Sequence, residues 1–228
     1  MDDWNRLSSD AQAMPLPRGF NCEIRHIPVK RIFDIVFSVS ALAILSPLFL
    51  GIAIAVRLSS PGRIVYSHER IGRGGKSFRC YKFRTMYADA DQRLQDILRA
   101  SPELRKEWEA SHKLKRDPRV TSIGSFLRKT SLDEFPQFLN VLKGDLSVVG
   151  PRPVVQMEVT KHLGPKAAKI LSIRPGLTGL WQISGRSDTS YEKRIQLDEQ
   201  YIDNHSILLD LKLILKTIPA MLFSRGAY

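Results

Sequence analysis

The sequence predicts a mostly α-helical chain with one small β-hairpin, an α+β arrangement held at one membrane face by a re-entrant helix-break-helix and interfacial amphipathic helices. Three observations predict it. From Ile32 to Val56 the chain is almost wholly apolar, with Asp34 its single charge and Ser46-Pro47 near its middle. Between residues 62 and 84, β-type and basic residues alternate around Gly72, Gly74 and Gly75. Elsewhere apolar residues recur at three- and four-residue intervals, the period of a helix with one buried face.

Residues 1–27 are polar, with Pro15, Pro17 and Gly19 close together, and read as a flexible leader. Residues 28–60 carry the apolar run. About 20 apolar residues suffice to cross a bilayer core as a helix, so a straight span is the simplest reading. Pro47 argues against it, because proline removes a backbone N–H and clashes with the carbonyl four residues earlier, breaking the helix at mid-depth. The flanks argue the same way. Arg25, Lys30 and Arg31 precede the run and Arg57, Arg63, Arg70, Arg73 and Lys76 follow it, and positive flanks stay cytoplasmic. Both ends then belong on one side. The late start, the length and the lack of an obvious small-residue cleavage site argue against a secretory signal.

Residues 61–228 form the remaining domain. Ile64-Val65-Tyr66 and Phe78-Arg79-Cys80-Tyr81 predict a hairpin with a glycine turn. Gly74-Gly75-Lys76 lacks the spacing of a nucleotide P-loop. Lys82 and Arg84 alternate with Phe83, so both cations either project from one strand face toward a phosphorylated ligand or form a solvated basic strand. Residues 88–112 predict surface helices interrupted at Ser101-Pro102, followed by a turn at Arg116-Asp117-Pro118-Arg119. Phe135, Phe138, Leu139 and Leu142 predict a helix closed by Gly144. Lys166 to Ser172 reads as a short helix and Arg174 to Gly179 as a turn-rich loop, with Trp181 and Gln182 after it. Leu208, Leu211, Leu215, Ile218 and Leu222 define an amphipathic helix that either lies in the membrane interface or closes the core.

Composition narrows the partners. Thirty-five Lys and Arg against 23 Asp and Glu give a formal charge of +12, favouring polyanions: anionic lipid, phosphorylated substrates or nucleic acid. Aromatic and basic residues do not recur in a nucleic-acid recognition pattern. Cys22 and Cys80 show neither disulfide nor zinc spacing and read as reduced thiols. The five histidines are scattered and form no ligand pattern.

The stretch with most chemistry is Arg128-Lys129-Thr130-Ser131-Leu132-Asp133-Glu134-Phe135-Pro136-Gln137. It sets two adjacent carboxylates between a basic pair and the expected helix start, where the helix dipole favours anions. The same spacing also fits an ordinary capping box, with Ser131 and Glu134 three residues apart. Arg152, in Gly150-Pro151-Arg152-Pro153, likewise reads either as a phosphate ligand or as a cation capping a turn.

These blocks, with Lys30-Arg31, Phe33-Asp34, Lys82-Phe83-Arg84-Thr85-Met86, Asp117-Pro118-Arg119, Asn140 to Asp145 and Arg174-Pro175-Gly176-Leu177-Thr178-Gly179, resemble the bacterial sugar transferase family over residues 28 to 228. These are monotopic polyprenyl-phosphate sugar-1-phosphate transferases, also called phosphoglycosyl transferases. The resemblance implies transfer of a hexose 1-phosphate from a UDP-sugar to undecaprenyl phosphate, the first membrane step of exopolysaccharide, capsule or O-antigen synthesis. It implies Asp133 as a nucleophile carrying an aspartyl-phosphosugar, Glu134 beside it, and Mg²⁺ on both carboxylates. It also implies phosphate contacts from Arg128 and Arg152, a Ser46-Pro47 membrane break, and a site on the cytoplasmic face of the bacterial inner membrane. The ending Arg225-Gly226-Ala227-Tyr228 is similar to that of galactose- and glucose-phosphate transferases in the family. The helix hairpin and terminal helix would also suit a homodimer. The competing reading is a basic, membrane-tethered binding protein without catalysis, which leaves the acidic pair without a use.

Overall fold

The computed structural model describes residues 28–111, 114, 116–184 and 190–222. The leader of residues 1–27, with Arg25, and the ending Arg225-Gly226-Ala227-Tyr228 lie outside them. The apolar run forms α1 (Pro28–Ile44) and α2 (Ser46–Ser59), which meet at a bend of 64°. Pro47 lies in the first turn of α2, where a missing N–H costs nothing, and Ser46 Oγ donates to the Ala43 carbonyl at 2.9 Å. No single described helix is long and apolar enough to cross a membrane, whereas the bent pair is so when taken together.

The flanking charges do something other than mark a membrane face. Lys30 is buried and its Nζ lies 2.5 Å from Asp210, while Arg31 donates to the carbonyls of Val141 and Leu142 at 2.5 and 2.9 Å. Buried Asp34 accepts from Ser147 Oγ at 2.9 Å and from the Val148 N–H at 3.0 Å. The outer face of the bent pair, including Ile32, Val36, Val39, Leu50 and Ile54, is exposed.

The hairpin β1 (Val65–Ile71) and β2 (Ser77–Phe83) is antiparallel, pairing Val65 with Phe83 and Ile71 with Ser77. Gly74 and Gly75 take left-handed φ angles in its turn, as a glycine turn requires. Helices α3 (Ala90–Ala100) and α4 (Pro102–Ser111) break at Ser101-Pro102 as expected. Then come α5 (Ser122–Thr130), α6 (Gln137–Lys143), β3 (Ser147–Val149), helical turns at Gln156–Glu158 and Ala167–Ile170, β4 (Gly176–Thr178), α7 (Tyr191–Asn204) and α8 (Ile207–Leu222).

Two expectations are corrected here. The turn-rich loop at 174–179 contains β4, which pairs in parallel with β3, Ser147 opposite Gly176 and Val149 opposite Thr178. Strands of three residues carry no readable alternation. Helix α6 begins at Gln137 rather than near Phe135, and it buries Asn140 while leaving Leu139 exposed. Asn140 earns that place by accepting from the Tyr81 N–H at 3.0 Å and donating to the Arg79 carbonyl at 2.7 Å, so it ties α6 to β2. Helix α8 closes the core with one face and leaves the other exposed. Leu213 and Asp210 face the core, while Leu208, Leu211, Leu215 and Ile218 are exposed.

The main core gathers Val141, Leu146, Val149, Tyr201, Ile202 and Leu213. A second cluster of Ile52, Val56, Phe83 and Leu127 seats α2 against the hairpin and α5. Fully burying such a side chain contributes about 1.5–3 kcal/mol. The site lies along the second cluster.

Candidate active site

Helix α5 approaches the hairpin exit backbone to backbone. A Cβ on Gly124 would sit 1.9 Å from the Thr85 carbonyl oxygen, so only glycine allows this contact. Thr121 caps the helix by accepting from the Gly124 N–H at 2.9 Å, and its own N–H donates to the Thr85 carbonyl at 3.0 Å. That registration brings Arg128 Nε to 3.0 Å from Thr85 Oγ1. Ser131 ends α5 in the left-handed region at φ 55°, and Leu132–Glu134 form one 3-10 turn before Pro136 and α6.

The carboxylate pair therefore sits in a link between helices, not in the first turn of α6. The capping box is also absent: Ser131 makes no capping hydrogen bond, and Glu134 turns away to Lys82. Lys82 Nζ lies 2.6 Å from Glu134 Oε1 and 3.7 Å from Asp133 Oδ2. Asp133 is only 8% exposed. Burial pushes its pKa up to about 6, with Glu134 adding to the rise and Lys82 and Arg128 opposing it. Burial disfavours charge on Lys82, yet Glu134 and Asp133 outweigh it and raise the Lys82 pKa, so the ammonium persists. The result is a shielded carboxylate that ionises just below neutrality beside fixed cations, the poise expected of a nucleophile or acid-base group.

Asp133, Glu134, Lys82, Arg128 and Arg152 all line one cavity of about 1660 Å³. The same cavity is lined by Tyr66, His68 and Arg70 of the hairpin, by Phe37 and Ala41 of α1 with Leu45 at the break, and by Ile214 and Ile218 of α8. Polar and apolar substrate parts can thus be held together. Arg84 reaches the cavity too, but its guanidinium donates to the carbonyls of Val56, Ser60 and Pro61, the last at 2.7 Å. It closes the C-terminal end of α2, whereas Lys82 turns to the dyad. The two cations that alternate in the sequence thus take different partners. Arg152 places its guanidinium 5.2 Å from the Trp181 ring centroid, and Ser46 and Pro47 stay in the helix break.

Sequence reasoning missed Arg194 and Asp198 of α7. Arg194 also lies over Trp181, and Asp198 is a buried carboxylate. The available signal was an acidic residue on the apolar stripe of Ile195, Asp198 and Ile202. Cys80 is buried and free, its thiol pushed up to about 11 by burial.

Asp133 and Glu134 offer adjacent hard oxygens, and no cluster of three or more His, Cys, Asp or Glu exists among the described residues. That donor set fits Mg²⁺, which is commonly held by one or two carboxylates with substrate phosphates and water.

A model of the bacterial sugar transferase family matches residues 25–224. The chain belongs to the bacterial sugar transferase family. It is 51% identical over 199 residues to the exopolysaccharide production protein ExoY of Rhizobium meliloti (strain 1021), covering 87% of this chain and 88% of that one. It is 45% identical over 200 residues to the undecaprenyl-phosphate galactose phosphotransferase of Salmonella typhimurium, covering 88% of this chain and 42% of that protein. To the UDP-glucose:undecaprenyl-phosphate glucose-1-phosphate transferase of Escherichia coli (strain K12) it is 37% identical over 207 residues, 88% of this chain and 41% of that protein. This bacterial sugar transferase is an enzyme that transfers a sugar phosphate, and the reading as a non-catalytic binding protein falls away.

Proposed function

We propose that this enzyme moves a hexose 1-phosphate from a UDP-sugar to undecaprenyl phosphate, through a phosphosugar carried on Asp133, in exopolysaccharide or capsule synthesis. The observation that carries the reading is Asp133 itself. It is a buried carboxylate between Lys82 and Arg128 on a cavity that also has an apolar wall from α1 and α8.

In the first step a carboxylate oxygen of Asp133 attacks the sugar-bearing phosphorus. The bond from that phosphorus to the bridging oxygen breaks, and UMP leaves with the electron pair. In the second, an oxygen of the lipid phosphate attacks the same phosphorus, releasing the Asp133 carboxylate and forming polyprenyl diphosphate sugar. Like charges at close range oppose both approaches. Lys82, Arg128 and Arg152 supply fixed countercharge, with guanidinium forks suited to two phosphate oxygens at once. Mg²⁺, held by Asp133 and Glu134, would neutralise further charge on the pyrophosphate when bound.

Galactose or glucose is the expected sugar, as the names of two relatives suggest. The bent pair α1–α2 is read as entering and leaving by the cytoplasmic face, its exposed apolar side and that of α8 turned to lipid. Cysteines placed at Pro28 and Arg63 should label from the same side.

The deciding experiment incubates purified enzyme with undecaprenyl phosphate, Mg²⁺ and a panel of radiolabelled UDP-sugars. Label should pass into organic-extractable lipid with stoichiometric UMP. Sugar transfer with release of UDP instead of UMP would contradict the phosphosugar route.

A further inference from the structure

The wall of the cavity formed by Trp181 gathers two guanidinium groups. The guanidinium of Arg152 lies 5.2 Å from the Trp181 ring centroid and that of Arg194 4.9 Å from the same centroid. All three residues line the cavity. The Arg152 guanidinium is exposed and donates to no acceptor among the described residues, so its fork is available. Two guanidinium groups on one ring present positive charge to an anion received between them. Trp181 is 5% exposed, and its indole N–H has no hydrogen-bond partner in the structure. A buried donor left unpaired is costly, and a ligand oxygen would satisfy it.

Arg152 owes its direction to α7. Pro151 and Pro153 have no N–H, so the Arg152 N–H is the only backbone donor of the Pro-Arg-Pro turn. That donor points at the carboxylate of Asp198, one helical turn beyond Arg194 on α7. Asp198 is 7% exposed, its Oδ1 makes no hydrogen bond, and burial pushes its pKa up to about 7. A buried carboxylate with so little compensation is costly, and its one evident use is to fix that turn.

We propose that Arg152, Arg194 and the indole N–H of Trp181 form a phosphate clamp for one of the two substrates, and that Asp198 is the positioning residue that sets Arg152 in it. The proposal rests on the phosphosugar-transfer reading, and it adds Arg194, Trp181 and Asp198 to the residues that handle substrate. The phosphate belongs either to the nucleotide or to the prenyl lipid.

The test uses full-length enzyme in detergent with Trp4→Phe and Trp108→Phe, so that Trp181 alone fluoresces. UMP and farnesyl phosphate are titrated separately. One of them should change Trp181 emission saturably, and R194Q should weaken that ligand about tenfold while leaving the other within twofold, which names the source. Neither ligand perturbing Trp181, or both affinities standing within twofold in R194Q and R152Q, would overturn the clamp. D198A should weaken the same ligand about tenfold and raise the KM of the corresponding substrate, the UDP-sugar for UMP or the prenyl phosphate for farnesyl phosphate, more than it lowers kcat. D198N keeps an oxygen for the Arg152 N–H and should restore both. Equal impairment in folded D198A and D198N would remove the positioning role. Label transfer with a silent Trp181 sinks the clamp alone; a responsive Trp181 with no lipid-linked label sinks the reaction reading alone.

Discussion

Two clusters in this molecule are built from the same parts, a lysine and two carboxylates, and they do opposite things. At the base of α1, Lys30 lies 2.5 Å from Asp210 and 3.8 Å from Asp34. Tyr201 donates to Asp210 at 2.7 Å, and Ser147 and the Val148 N–H complete Asp34. Each carboxylate there accepts a hydrogen bond from a group besides the lysine, and the cluster welds α1 to β3, α7 and α8. At the cavity, Lys82 is shared by Glu134 and Asp133, and Asp133 gains only a 3.7 Å contact. Its pKa rises to about 6 because burial is not fully compensated. Saturation makes a joint; shortage makes a reactive group.

The comparison can be broken most sharply at Asp133. Asp133→Asn should lower kcat by at least about 10⁴-fold, as loss of a nucleophile does, and single-turnover UMP release should vanish with it. Normal UMP release would contradict the covalent route. Lys30→Met comes next. It leaves two buried carboxylates without their cation, costing about 3–5 kcal/mol, and should lower the melting temperature by roughly 10 °C in detergent.

A third test uses pH. Folding raises the Asp133 pKa from 3.8 to about 6, so ionising this group destabilises the native state as pH climbs through that window. Asn mimics the neutral form. Asp133→Asn should therefore melt above the wild type at pH 8, and the gap should close at pH 4. In the wild type kcat/KM should rise with pH to a plateau above about 6, since the anion is the attacking form. The smallest effect is expected at Arg84. Arg84→Gln removes the carbonyl ligand at the end of α2, costing about 1 kcal/mol and 2–4 °C in melting temperature. KM for the UDP-sugar should move less than twofold; a tenfold rise would return Arg84 to the substrate site.

Much of this was legible in the residues. Ser46-Pro47 gave the helix break, because proline chemistry is local, and Gly74-Gly75 gave the hairpin for the same reason. What stayed hidden depends on long-range partners. Lys30 and Arg31 looked like flanking charges until Asp210 and the α6 carbonyls, more than a hundred residues away, claimed them. Glu134 looked like half of a capping box until Lys82, across the hairpin, took it. Asn140 was invisible beneath a pattern that counted only apolar positions. The second sheet was unreadable because its two strands of three residues have no period of their own.

Because Lys30 and Arg31 hold one end of the bent pair and Arg84 the other, both of its roots are fixed to the folded body. A wedge clamped this way cannot swing at its elbow to suit its surroundings. If the pair sits in one leaflet as proposed, a change of leaflet thickness would tilt the protein as one piece and carry the mouth of the cavity with it, so the depth at which Asp133 works would follow from these fixed roots.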